Sequence, residues 1–365
     1  MQVLREVAEV EVFPRLDRQI SLAETVAAAQ RSDYLVALHG NYMPAEVLDA
    51  NPHLKGIGIM GGTTVKVDMD AALRHKIPIV TTPPGTSPYG GGPGPGSESE
   101  KTPNVAIATA ELTLALMLAL AYRLPESDRY VRANASFQEQ TMALMSHGFY
   151  GLTVGLLGLG RVGRHLLQRL QGFETTNLYY KRTRLSPAEE ERLKLEWTDF
   201  DGLFARADFV VVLVDYNDTT HEMVGARELA LMKPSAYFVN PARGRIVDEP
   251  ALIAALQRKQ IAGAGLEVFY HESPLVWDPW VPDELKAMDN MILTPHNGGA
   301  VYPSRASQLR PIVEGIRDLI QGRRPPGLLN PEIYGEPTRY PALYGRGPIV
   351  PARNGGPANF PPLEP

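Results

Sequence analysis

Thr153-Val154-Gly155-Leu156-Leu157-Gly158-Leu159-Gly160-Arg161-Val162-Gly163 passes from a short apolar run into a Gly-x-Gly-x-x-Gly turn, and the helical run Arg164–Leu170 follows at once. Gly158, Gly160 and Gly163 permit a tight turn and a close approach of backbone to a pyrophosphate, whose charge the next helix N-terminus stabilises. A glycine motif alone is weak, but strand, motif and helix in that order read as the nucleotide-binding unit of a doubly wound α/β sheet. Arg161 and Val162, inside the motif, are assigned to the same site.

The end of the next strand selects the nucleotide. In this arrangement an Asp or Glu about 20 residues past the glycines accepts hydrogen bonds from the ribose 2′-hydroxyl of NAD. Here the strand Asn177–Tyr180 ends in Lys181-Arg182-Thr183-Arg184. No carboxylate stands there to repel a 2′-phosphate, and three cations with a hydroxyl are available to bind one. NADP(H) is therefore expected in preference to NAD(H); a solvated basic turn is the plainer alternative.

Three later segments each put a polar residue just past a strand. Tyr237–Asn240 leads into Pro241-Ala242-Arg243, Ala262–Val268 into Phe269-Tyr270-His271-Glu272, and Met291–Thr294 into Pro295-His296-Asn297-Gly298. Ligands of an open parallel sheet bind at the carboxyl ends of its strands, so Arg243, Glu272 and His296 are expected to converge beside the nicotinamide. One arginine, one carboxylate and one histidine suit the binding of a carboxylated substrate and the movement of a proton. His39 follows the strand Tyr34–Ala37 and is a candidate substrate contact. His75, His147, His165 and His221 have no metal-ligand spacing, and no metal is expected.

Outward from these motifs, strands alternate with helical patterns along the chain, which argues for parallel sheets covered by helices. Val10–Val12, Tyr34–Ala37, Gly56–Met60, Ile77–Thr81 and Phe209–Val214 complete the strand set. Long helical runs, Ala108–Arg123 and Ser304–Gln321, flank the second series. This predicts an inserted domain at 123–300 and a discontinuous one built from 1–122 plus 301–330. Of 365 residues, 33 are glycine and 32 proline, concentrated in 83–104 and 321–365. The first segment is read as a flap or padding. The second, 331–365, carries aromatics and reads as an extended arm.

The composition excludes several classes. With 44% hydrophobic and 21% charged residues the chain is of ordinary globular type. A net charge of −5 leaves no basic footprint for nucleic acid. The absence of cysteine removes disulfides, thiolate catalysis and iron–sulfur clusters, and it fits a reducing compartment. No targeting or membrane segment is visible, so a cytoplasmic protein is expected.

Together these segments resemble the D-2-hydroxyacid dehydrogenase family, which includes glyoxylate/hydroxypyruvate reductases and phosphoglycerate dehydrogenases. The resemblance runs from about residue 10 to residue 330 and includes Gly61–Asp68, Thr109-Ala110-Glu111, the Gly158 motif, Asn240–Gly244, Glu272 and Pro295-His296. It implies a Rossmann nucleotide-binding domain inserted into a flavodoxin-like substrate domain. By resemblance, Arg243 clamps the carboxylate and carbonyl of a 2-oxo acid, His296 is the general acid/base, and Glu272 hydrogen-bonds the imidazole and favours its charged form. The backbone around Met60, Gly61 and Gly62 receives the substrate carboxylate. Asp215, Thr220, Pro241, Ala242, Glu267, His296 and Gly298 fall at cofactor-pocket positions. Homodimers joined through the nucleotide domain are the family's usual state.

The chain also departs from the pattern. The helical run Gln2–Ala8 opens it without the family's first strand, so that strand is either lost or lies upstream. Asp215-Tyr216 replaces a proline-containing turn, Asn297 an apolar residue, and Glu267 an aspartate. The implied reaction is the interconversion of a 2-oxo acid and a D-2-hydroxy acid. An alternative of a different class is a nucleotide-sensing protein similar to the C-terminal-binding-protein co-repressors, which keep the same three residues. Formate dehydrogenases pair the histidine with glutamine, and Glu272 argues against that activity.

Overall fold

A computed structural model describes residues 2–14, 18, 20–37, 43–60, 67–82, 105–272 and 279–336. The expected flap at 83–104, the arm beyond 336, His39, Gly61 and Gly62 lie outside these residues. Two parallel sheets organise the chain. The smaller holds β1 (Tyr34–Ala37), β2 (Gly56–Ile59) and β3 (Ile79–Val80) in the order β1-β2-β3. The larger holds β4 (Thr153–Leu157), β5 (Thr176–Tyr180), β6 (Leu195–Trp197), β7 (Phe209–Val212), β8 (Tyr237–Asn240), β9 (Gly263–Leu266) and β10 (Met291–Leu293). Its order is β10-β9-β8-β7-β4-β5-β6.

That order makes the site. The chain builds outward from β4 through β5 to β6, then crosses back to β7 on the other side, so the winding reverses between β4 and β7. A crevice opens at the carboxyl ends of strands on either side of such a reversal. Both faces of the large sheet are covered, one by the cluster of Leu157, Phe204, Val210, Phe238 and Leu266, the other by that of Val154, Leu156, Leu166, Phe209 and Val239. This explains why its strands read as unbroken apolar runs.

The chain returns to the small sheet after the insertion. The helix Tyr302–Ile320 lies on β2, and Leu329 donates its N–H to the Ile79 carbonyl at 2.9 Å. Asn330, fully buried, accepts from the Ile79 N–H and donates to the Ile77 carbonyl, each at 2.8 Å. Elsewhere Ser21 caps the helix Leu22–Arg31 through a reciprocal pair with Glu24.

Three expectations need correction. Val10–Val12 is irregular rather than a strand, because no neighbour among the described residues offers it a ladder. Strand β6 is an addition to the expected set: it is three residues long, with exposed Glu196 at its centre. The helix Val105–Ala121, grouped by sequence with the first unit, packs on the large sheet. Its Ala110, Leu116, Met117 and Leu120 share a core with Phe149, Val154 and Phe209. By packing, this helix goes with the large sheet, and the boundary expected at 122 lies at its carboxyl end. Among the described residues no single helix is long and apolar enough to cross a membrane.

Candidate active site

The glycine turn between β4 and the helix Arg161–Leu170 divides its work. Gly158 has φ +99°, and a Cβ there would meet the Leu213 carbonyl at 2.9 Å, so glycine is required by the protein itself. Gly160 is different. It caps the helix in an ordinary extended conformation (φ −82°), and a Cβ on it would meet no atom of the described residues within 4 Å. Glycine there leaves a cradle beside a helix N-terminus, the arrangement that admits a pyrophosphate. Gly163 lies closer to the turn, 3.4 Å from the Gly158 carbonyl by the same measure. The residues present fit a dinucleotide.

At the end of β5 the four expected contacts separate. Arg184 forms a two-pronged pair with Glu190 at 2.8 and 2.7 Å, and its guanidinium lies 5.1 Å over the Trp197 ring. The Tyr179 hydroxyl donates to the same carboxylate at 2.6 Å. Arg184 and the Tyr179 hydroxyl hold Glu190 well below the usual carboxylate range, at about 2. Arg184 thus fastens the turn, and half-buried Lys181 with exposed Arg182 and Thr183 remains to meet a phosphate. After β7, the turn carrying Asp215 closes on itself: Thr220 Oγ1 donates to the Asp215 carbonyl at 2.7 Å and accepts from the Asn217 N–H at 2.8 Å.

The chemical groups follow β8, β9 and β10. Asn240 ends β8 buried. Its amide donates to the Arg243 carbonyl at 2.9 Å while its oxygen accepts from the Ala242 N–H at 3.0 Å, shaping the turn through buried Pro241. Half-buried Arg243 donates to the Ala242 carbonyl at 2.6 Å. The next residue, Gly244, crosses the segment after β9 so closely that a Cβ would lie 2.0 Å from the Phe269 carbonyl. The Arg243 turn and the Glu272 segment are thereby locked together.

Glu272 accepts the Phe269 N–H at 3.1 Å with one oxygen and faces His296 Nδ1 at 2.9 Å with the other. The Glu272 side chain is 12% exposed and that of His296 31%, so a mostly buried carboxylate lies behind a partly exposed imidazole. With Nδ1 turned to the carboxylate, Nε2 lies on the opposite side of the ring. His296 itself has φ +52°, a left-handed conformation uncommon outside glycine. Its N–H is held by the Glu267 and Thr294 carbonyls, each at 3.0 Å.

Glu267, expected at the cofactor, is 1% exposed and accepts from the Thr294 hydroxyl and the Gly298 N–H. Both oxygens therefore brace the loop that carries His296. Burial pushes the Glu267 carboxyl up from its ordinary value, more than those hydrogen bonds lower it. Asn240, Gly244 and Thr294 are not among the residues that sequence reasoning assigns to the site. An asparagine before Pro241 is the signal that finds the first, as an Asx turn.

Met60, which directly follows β2, is buried; it opens toward 61–66, outside the described residues. Among the described residues no group of three or more His, Asp or Glu is placed to hold a metal.

Comparison with known proteins bears on this arrangement. Residues 114–298 match the model for the D-isomer specific 2-hydroxyacid dehydrogenase NAD binding domain, and residues 1–88 match that for the catalytic domain. A glyoxylate reductase from Thermococcus gammatolerans is 35% identical over 337 residues, covering 91% of this chain and 93% of the relative. Among solved structures, the TT0316 protein of Thermus thermophilus is 30% identical with a TM-score of 0.68, covering 90% of this chain and 95% of that one. An NADPH-dependent glyoxylate/hydroxypyruvate reductase from Sinorhizobium meliloti, in complex with NADP and malonate, is 26% identical with a TM-score of 0.58, over 80% of this chain and 82% of that one.

Proposed function

The chain belongs to the D-isomer specific 2-hydroxyacid dehydrogenase family, and we propose that it reduces a small 2-oxo acid to the D-2-hydroxy acid with NADPH preferred over NADH. The observation that carries the reading is the Glu272–His296 pair at 2.9 Å, set beside the Arg243 turn at the carboxyl ends of adjacent strands.

When bound, the nicotinamide supplies the hydride. Gly158, Gly160, Arg161, Val162 and Gly163 hold the pyrophosphate, and Lys181, Arg182 and Thr183 recognise a 2′-phosphate. Arg243 presents its guanidinium to the carboxylate and carbonyl oxygens, binding the substrate and stabilising negative charge that develops on the carbonyl oxygen. His296 donates a proton to that oxygen from Nε2. Glu272 fixes the ring and compensates the imidazolium. The Met60 N–H is taken by the Ala37 carbonyl at 3.0 Å, so within Met60–Gly62 the backbone N–H groups of Gly61 and Gly62 are the ones assigned to receive the carboxylate, with His39 as a further contact. The division into 1–122 plus 301–330 and 123–300, with the helix Val105–Ala121 packing on the large sheet, belongs to the same reading, as does a cytoplasmic location, which the cysteine-free chain suits.

A homodimer is also proposed. Leu124, Phe137, Met142, Met145 and Tyr150 are exposed within one segment, Met142 by 77% and Tyr150 by 74%, a concentration of apolar surface that a second copy would cover. Sedimentation should give twice the 40.1 kDa of one chain; a monomer at micromolar concentration contradicts it.

The reading is tested by initial rates of NADPH and NADH oxidation with glyoxylate, hydroxypyruvate and an aromatic 2-oxo acid. Turnover with an NADPH preference supports it. NADPH binding without turnover of any of them would favour the nucleotide-sensing alternative.

A further inference from the structure

We infer that Arg305 is a second anion-binding group of the site and that the preferred substrates are 2-oxo diacids. The inference rests on the reductase reading above and deepens it by naming the substrate class.

The position of Arg305 follows from the packing of its helix. A Cβ on Gly56 would meet Leu319, and one on Gly58 would meet Ile312 and Ile316, so the helix Tyr302–Ile320 runs antiparallel to β2. Its first turn therefore lies at the carboxyl end of β2. There the Arg305 Nη1 approaches the sulfur of Met60, the residue directly after the strand, at 3.9 Å. The carboxyl ends of the strands are where a doubly wound sheet receives ligands. The segment 297–301 joins His296 directly to this turn.

The chemistry of the position is unbalanced. Arg305 is half-buried, yet among the described residues it has no carboxylate partner. A guanidinium carries five N–H donors and a thioether is a weak acceptor, so Met60 does not satisfy it. A half-buried cation is stabilised when an anion completes it. The helix changes character at the same place. Ile312, Val313 and Ile316 are its buried apolar residues, whereas its first turns bury Ser304 and Gln308, bonded to each other at 2.9 Å. The polar end faces the strand ends.

Arg243 provides the counterpart. It follows β8 of the large sheet, is half-buried, and among the described residues also lacks a carboxylate, its guanidinium donating to the Ala242 carbonyl. Arg169, Arg184 and Arg227 are paired with carboxylates and Arg245 lies over the Tyr270 ring, whereas half-buried Arg317, which also lacks a carboxylate among the described residues, sits at the far end of the helix from the strand carboxyl ends. A half-buried cation without a carboxylate partner among the described residues stands at the strand carboxyl ends of each sheet, Arg243 on the large one and Arg305 against the small one, and this suits a substrate with an acidic group at each end. Arg243 takes the 2-oxo acid end and Arg305 the distal carboxylate.

The test compares oxaloacetate with 2-oxobutyrate, which have the same chain length and differ in the distal carboxylate. The wild type should show the higher kcat/KM for oxaloacetate. Arg305→Met, which keeps the apolar stem against Met60, should lower the oxaloacetate to 2-oxobutyrate ratio roughly 10- to 100-fold, the effect of losing a hydrogen-bonded charge. Arg305→Lys should recover part of it. A ratio that does not fall in the methionine variant overturns the inference, including the case where both substrates lose equally. Calorimetry of the NADPH-bound protein with malonate and with acetate gives a readout that needs no turnover. Malonate should bind more tightly than acetate, and Arg305→Met should remove the difference. An inert wild type that still discriminates in this way defeats the reductase reading alone; equal binding of the two acids defeats the diacid site.

Discussion

Replacing Gly160 with alanine separates a glycine kept for the fold from one kept for a ligand. The added methyl meets no atom of the described residues within 4 Å, and the backbone at φ −82° is open to any residue. Folding should therefore change little: the entropy removed from the unfolded chain, about 0.4–1 kcal/mol, is offset by a similar cost of placing alanine at the helix N-cap. Nucleotide binding should suffer instead, because the methyl occupies the space the backbone leaves for the pyrophosphate. An overpacking cost of about 1–3 kcal/mol corresponds to a roughly 5- to 150-fold weaker Kd for NADPH. Two measurements on one preparation decide it: a urea unfolding curve and a fluorescence titration with NADPH. Gly158→Ala is the comparison, since φ +99° and the 2.9 Å approach to the Leu213 carbonyl should make that variant unstable. An unchanged NADPH affinity in Gly160→Ala, or a loss of stability as large as that of Gly158→Ala, would refute the assignment of the cradle.

Other consequences are equally specific. Gly244→Ala places a methyl 2.0 Å from the Phe269 carbonyl, so the Arg243 and Glu272 segments must part. Its kcat/KM should fall on the order of 100-fold and its unfolding free energy by about 3 kcal/mol, and a wild-type value of either would contradict the locked crossing. Lys181→Asp with Arg182→Ala should shift preference from NADPH toward NADH by roughly 10-fold or more, read as the ratio of kcat/KM values; an unmoved ratio leaves the basic turn without a role. Glu190 is held at about 2 when folded, below its unfolded value, so its contribution to stability is present above the unfolded pKa and lost as pH falls through the folded one. Unfolding curves from pH 5 to pH 2 should show a shallower loss in Glu190→Gln than in the wild type, and parallel losses would refute the coupling.

What is legible in the sequence follows the range of the interactions involved. The βα unit at Gly158 can be read because turn, strand and helix are local, and Arg243, Glu272 and His296 because each sits just past its own strand. The pairing of Arg184 is not legible, since its partner Glu190 lies on the next helix and only the fold turns that carboxylate back. Glu267 is a similar case: its spacing suggests the cofactor pocket, but the residues that engage it, Thr294 and Gly298, arrive from the following strand and loop. The domain boundary is hard to place because the run at Val105–Ala121 is apolar all round, which shows burial without showing which sheet it covers. Val10–Val12 is β-branched, but a strand also needs an edge to join.

The most direct test of the account is His296→Ala, assayed for reduction of glyoxylate or oxaloacetate by NADPH alongside NADPH binding. A group that donates the proton should cost about 10²- to 10⁴-fold in kcat when removed, with the NADPH Kd left near the wild-type value. Retention of wild-type turnover, or loss of cofactor binding in step with activity, would contradict the role given to the Glu272–His296 pair.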